Sequence, residues 1–175
     1  DIINSSKNSS NNQSNTVTPT QGGLNQSITE VIAPSGDFFG FGGATKIDDT
    51  TFHLPIGADW WAGFRHEQEA FLSFPSGGVL TFDATAIGGP VTVRFKYEHY
   101  LYPNNTPAFD LGTQLVSSDS TNTYSITFPA NTYTYGYKAL ILFIDTDETQ
   151  SLNGTLTEYT KVIVSNIKIV PLLTS

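Results

Sequence analysis

The chain has 175 residues, with sixteen acidic against eight basic side chains, a formal net charge of −8, 13% aromatic residues and no cysteine. This length suits one domain of ordinary size, and the acidic balance repels phosphate backbones and anionic membrane surfaces, so nucleic acid and membrane insertion are not expected partners. Without cysteine there is no disulfide framework, no thiolate nucleophile and no cysteine-ligated metal.

From Asp1 to Ser27, eighteen of 27 residues are Asn, Ser, Thr or Gln. Such a segment buries too little apolar surface to offset the entropy of ordering, so residues 1–27 read as a flexible linker and 28–175 as the folded domain. Beyond Gln26 the pattern changes to short strand-like stretches separated by turn residues. Strands are expected around Ala44 to Leu54 and Phe64 to Phe74, then over Gly78 to Ala84, Pro90 to Tyr102, Thr123 to Phe128, Lys138 to Ile144 and Tyr159 to Val170. Trp61, Phe64, Phe71 and Leu72 also fit a helical stripe, but the Phe-Leu-Ser-Phe-Pro that ends this stretch favours extended chain. Within Pro90 to Tyr102, Val91, Val93, Phe95 and Tyr97 alternate with Thr92, Arg94, Lys96 and Glu98, which buries one face and leaves the other wet. The predicted fold is all-β, a two-sheet antiparallel sandwich.

Asp59-Trp60-Trp61-Ala62-Gly63-Phe64 sets both tryptophans of the chain side by side. If this segment is a strand, adjacent indoles point to opposite faces, one anchoring the core and the other standing in solvent with a ring face suited to the C–H face of a pyranose. Burial of both indoles is an equally weighted reading. Arg94, Lys96 and Glu98 on the wet strand face continue into Tyr100, Tyr102, Pro103, Asn104 and Asn105, a set able to exchange several hydrogen bonds with sugar hydroxyls. The same residues also suit an ordinary solvated strand face. Tyr133, Tyr135 and Tyr137 share a face by alternation, although aromatics are frequent in strands that bind nothing.

Catalytic signatures are few. His53, His66 and His99 lack the spacing of a zinc protease, and no Gly-x-Ser-x-Gly elbow exists. Glu67 and Glu69, about 7 Å apart if they share a strand face, are the one carboxylate pair from which a glycosidase could be built, and nothing around them supports it. No catalytic residue is assigned. Asp145, Asp147 and Glu148 could offer oxygen ligands to calcium, but without the glycine-centred loop of a calcium site.

The order of Phe41-Gly42-Gly43-Ala44-Thr45, Trp61-Ala62-Gly63-Phe64, Phe74-Pro75-Ser76-Gly77-Gly78, Val91 to Glu98, Tyr102-Pro103, Ala108-Phe109-Asp110 and the closing strands through Val164-Ser165-Asn166-Ile167 resembles the family 4-like laminarin-binding carbohydrate-binding modules of bacterial β-1,3-glucanases. The resemblance covers Phe39 to Val170. It implies a jelly-roll sandwich that binds β-1,3-glucan without hydrolysing it, requires no cofactor, and works outside the cell, secreted or on the surface, beside other modules. It also implies a structural calcium near the chain ends, for which the sequence places no clear ligands. Trp60, Trp61, Arg94, Lys96, Glu98, Tyr100 and Tyr102 are the expected ligand-binding residues. The rival expectations are a structural or adhesive surface domain that binds protein, in which the same aromatics are core, and a module for another β-glucan.

Overall fold

The computed structural model describes residues 14–17, 20–21, 24–25, 28–145 and 161–173. The alternation in β10 (Val91–Glu98) sets the architecture. Val93, Phe95 and Tyr97 are fully buried, whereas Arg94, Lys96 and Glu98 keep contact with solvent. The neighbouring β8 (Gly63–Leu72) follows the same rule, with Phe64, His66 and Gln68 inward and Arg65, Glu67 and Glu69 outward. The Trp61 to Phe74 stretch is therefore strand in its greater part, as its Phe-Pro ending favours.

Five antiparallel strands form one sheet, in the order β11 (Ala108–Val116), β10, β13 (Tyr137–Asp145), β8 and β5 (Phe39–Phe41). The opposing sheet is built on β14 (Lys161–Pro171). One edge of β14 pairs with β9 (Gly78–Ile87), which in turn pairs with β12 (Asn122–Phe128). Its other edge pairs first with β7 (Thr51–His53), itself joined by β6 (Thr45–Lys46), and then with β4 (Ile28–Ala33). Between the sheets lies one core, rich in phenylalanine, where Phe52 meets Phe64 edge to face at 4.9 Å and Phe74 meets Phe128 at 5.1 Å. The fold is an all-β, two-sheet antiparallel sandwich, as the alternation predicts, and of the jelly-roll type that the resemblance implies.

Three strands beyond residue 27 depart from expectation. The expected Ala44 to Leu54 strand is split into β6 and β7, because Asp48 Oδ1 accepts hydrogen bonds from the backbone N–H groups of Thr50 (3.0 Å) and Thr51 (2.9 Å) and turns the chain. Strand β10 stops at Glu98, and residues 99–107 leave the sheet as a loop with two cis peptides, Tyr102–Pro103 and Thr106–Pro107. Strand β11 was not expected, since a bulge opposite Phe95 and Lys96, with Gly112 at φ +123°, inverts its period-two pattern midway. Within the segment 1–27 read as linker, the described residues include β1 (Ser14–Val17), paired antiparallel with Ile28–Val31, and the two-residue strands β2 (Thr20–Gln21) and β3 (Leu24–Asn25). An edge strand is held by backbone hydrogen bonds and needs no apolar side chain of its own.

Candidate functional site

Registers on the five-stranded sheet bring the outward side chains of three strands into rows. Arg94 lies opposite Phe143, Lys96 opposite Ile141 and Glu98 opposite Ala139; across the other edge of β13, Ile141 lies opposite Arg65 and Ala139 opposite Glu67. Leu140, Leu142 and Ile144 belong to the core between the sheets, whereas Ala139 and Ile141 are buried outside it, on the outer face under their longer neighbours. Gly63 keeps this floor open. A β-carbon there would come within 2.8 Å of the Phe143 ring and 3.0 Å of Phe41 Cζ, so only glycine allows Phe41 and Phe143 their edge-to-face contact at 6.2 Å and 86°.

The two tryptophans do not divide between core and solvent. They occupy a turn closed by the Ala62 N–H donating to Asp59 O at 3.0 Å, where strand alternation does not apply. Both are exposed, Trp60 at 60% and Trp61 at 48%. Trp61 lies nearly parallel to Phe41, with ring centroids 6.2 Å apart at 14°. Phe41, Trp61 and Phe143 thus form one aromatic end wall.

This wall and the sheet face bound a groove of about 820 Å³. Trp60, Trp61, Arg94, Lys96, Glu98 and Tyr102 line it, which gathers six of the seven ligand-binding residues expected from sequence. Tyr100 does not line it. Its ring stands 6.0 Å from that of Phe71, with Lys138 Nζ 5.3 Å above it, in a separate cluster further along the sheet. Phe41, Phe143 and Arg65, which also line the groove, are not singled out as site residues by the sequence. Phe143 sits in a run so apolar that it reads as wholly buried, and Arg65 lies on the strand with the ambiguous helical stripe.

The charges of the groove are mostly paired. Arg94 Nη1 donates to Asp110 Oδ2 at 2.8 Å, and Lys96 Nζ lies 3.8 Å from Glu98 Oε2 and 5.9 Å from the centre of the Phe143 ring. These contacts fix the long side chains without sealing them, because Arg94 and Asp110 remain substantially exposed. The groove therefore presents apolar ring faces beside oriented N–H donors and carboxylate acceptors, a combination that suits a polyhydroxylated ring with distinct C–H and O–H surfaces.

Other candidates fall elsewhere. Glu67 faces outward and sits 3.7 Å from Lys138 Nζ. Tyr137 is core, with its hydroxyl donating to Asn131 at 2.8 Å, while Tyr133 packs against the core and Tyr135 is exposed, so the three make no platform. Asp147 and Glu148 lie outside the described residues, as does the side chain of Asp145. Among the described residues no group of three His, Cys, Asp or Glu is placed to hold a metal ion, and no helix is long and apolar enough to cross a membrane.

No protein-family model and no curated protein matches the sequence. Solved structures do share the fold. A family 29 carbohydrate-binding module variant in complex with mannohexaose aligns over 82% of this chain and 92% of its own, with TM-score 0.52 and 14% identity. Another family 29 variant, in complex with cellulohexaose, aligns over 82% and 91% at TM-score 0.51 and 15% identity. A family 29 module from Piromyces equi aligns over 83% and 91% at TM-score 0.51 and 11% identity. This chain shares its fold with these carbohydrate-binding modules, which are of family 29 and not of the family 4-like laminarin-binding type expected from the sequence.

Proposed function

We propose that this chain is a non-catalytic polysaccharide-binding module, secreted or displayed on a cell surface, whose ligand is a β-1,3-glucan of the laminarin type. The observation that carries the reading is the aromatic wall of Phe41, Trp61 and Phe143 meeting the polar row of Arg94, Lys96 and Glu98 in one open groove. Stacking on an indole fixes the plane of a sugar ring, and the paired charges bond its equatorial hydroxyls. An open groove with few anchoring contacts suits micromolar affinity, about −7 to −8 kcal/mol. Hydrolysis would need two carboxyls flanking the scissile bond. Glu98 is the one carboxylate lining the groove among the described residues, and it is engaged by Lys96.

A second reading, a linear gluco- or manno-oligosaccharide, is favoured by the hexaoses bound to the family 29 modules of the same fold. Calorimetric titration with laminarin, cellohexaose and mannohexaose separates the two. Laminarin binding supports the first reading, and binding of a hexaose without laminarin transfers the assignment to the second. Failure of all three favours a structural or adhesive domain. Prolonged incubation with laminarin should release no reducing ends; release abolished by Glu67→Gln would make the chain an enzyme.

A further inference from the structure

Three basic side chains, Arg65, Arg94 and Lys96, and one acidic one, Glu98, line the groove of a protein whose net charge is −8. Two of the three cations are already compensated. Arg94 is bound by Asp110 at 2.8 Å, and Lys96 lies 3.8 Å from Glu98. Arg65 differs from both. It is exposed on β8, the strand between β13 and β5, with Ile141 opposite on one side and Phe39 on the other. Among the described residues it makes no ion pair, and the nearest carboxylate along its own strand face, Glu67, is engaged by Lys138 at 3.7 Å. Neutral hydroxyls need oriented donors and acceptors, which the compensated pairs provide. An uncompensated guanidinium adds something else, a planar fork that matches a carboxylate bidentately.

We infer that the groove prefers a glucan carrying carboxylated sugar residues over the neutral chain, with the carboxylate seated on Arg65. The inference rests on the polysaccharide reading and names the ligand class of the same site. The protein's overall negative charge does not oppose it at contact range, because a Debye length of about 8 Å at physiological salt screens distant charges far more than a bidentate pair. Nothing here requires chemistry: the carboxylate exchanges water for two N–H donors, and no bond is made or broken.

The test compares the full chain's affinity for laminarin, carboxymethyl-laminarin and hydroxyethyl-laminarin of equal chain length, the last being a neutral control for substituent size. Carboxymethyl-laminarin should bind on the order of 10-fold more tightly than either neutral polymer at about 0.1 M salt, the scale of a charge-assisted contact. That preference should shrink at about 1 M salt, where the Debye length falls to about 3 Å. Arg65→Gln should abolish the preference, and Arg65→Lys should keep a salt-sensitive part of it, with the thermal midpoint of each variant measured to show that it folds. Equal or weaker binding of the carboxylated polymer, or a preference that survives Arg65→Gln, overturns the inference and leaves the polysaccharide reading standing. Binding of none of the three polymers removes both.

Discussion

Gly42 and Trp61 are fitted to each other: a β-carbon on Gly42 would lie 2.8 Å from Cζ3 of the indole and 2.9 Å from the Cα of Ala62. The backbone at Gly42 is also left-handed, at φ +69°. Gly42→Ala therefore brings a conformational penalty of about 1–2 kcal/mol and pushes Trp61 off its parallel position against Phe41. The variant should melt earlier than the native chain and, on the proposed function, bind laminarin more weakly. A thermal melt and a titration on the same preparation check both effects; unchanged binding would mean that Trp61 is not held for recognition.

Neither tryptophan belongs to the core. Because both indoles are exposed in a turn, Trp60→Ala and Trp61→Ala should each fold, with stability changed by less than about 1 kcal/mol. Urea titration followed by circular dichroism measures this. Unfolding of either variant, at the 3–5 kcal/mol scale of a lost core tryptophan, would place that indole in the core.

The sandwich was legible in the sequence because Val93, Phe95 and Tyr97 alternate with Arg94, Lys96 and Glu98, and a period of two permits only one buried face. The polar half of the groove was legible for the same reason. Its aromatic half was visible as Trp60-Trp61, but the direction of each ring was not, since alternation holds in strands and these residues sit in a turn. Phe143 was hidden in a run where both faces are apolar: one is covered by the opposing sheet, and the other forms the groove floor. Strand β11 escaped because the bulge at Gly112 shifts its inward positions from Phe109 and Leu111 to Val116. Arg65 needed the partner strands, because an isolated arginine shows no sign of which carboxylates surround it.

Within the core, the Tyr97 hydroxyl donates to Gln68 Oε1, and the Gln68 amide donates to the carbonyls of Ala70 at 3.1 Å and Tyr137 at 3.4 Å. Burial pushes the Tyr97 phenol far above its ordinary value, so it stays a donor at any working pH. Tyr97→Phe strands the Gln68 oxygen and should cost about 1–3 kcal/mol. Chemical denaturation measures the loss. A neutral effect would show that the glutamine repartners or that water enters.

His66 adds a pH dependence. Its ring is 2% exposed and lies 5.3 Å from that of Phe38, and its Nε2 has no hydrogen-bond partner among the described residues. Burial holds its pKa below the ordinary 6.5, against the weaker opposing pull of the Asp37 carbonyl and of the Asp37 and Glu67 carboxylates. As the pH falls through 6.5 the unfolded chain takes up a proton that the native state refuses, so stability declines on acidification. The denaturation midpoint should fall between about pH 7.5 and about pH 5.5, and His66→Leu should show a shallower decline. An identical slope in the variant would assign the effect to other groups.

The most direct test of the account is calorimetric titration of laminarin into the native chain and into Trp61→Ala at the same salt. Micromolar binding by the native chain is expected, weakened in the variant by about 1–3 kcal/mol, the scale of one ring-stacking contact. No binding by the native chain, or equal binding by the two, would contradict the groove as a β-1,3-glucan site.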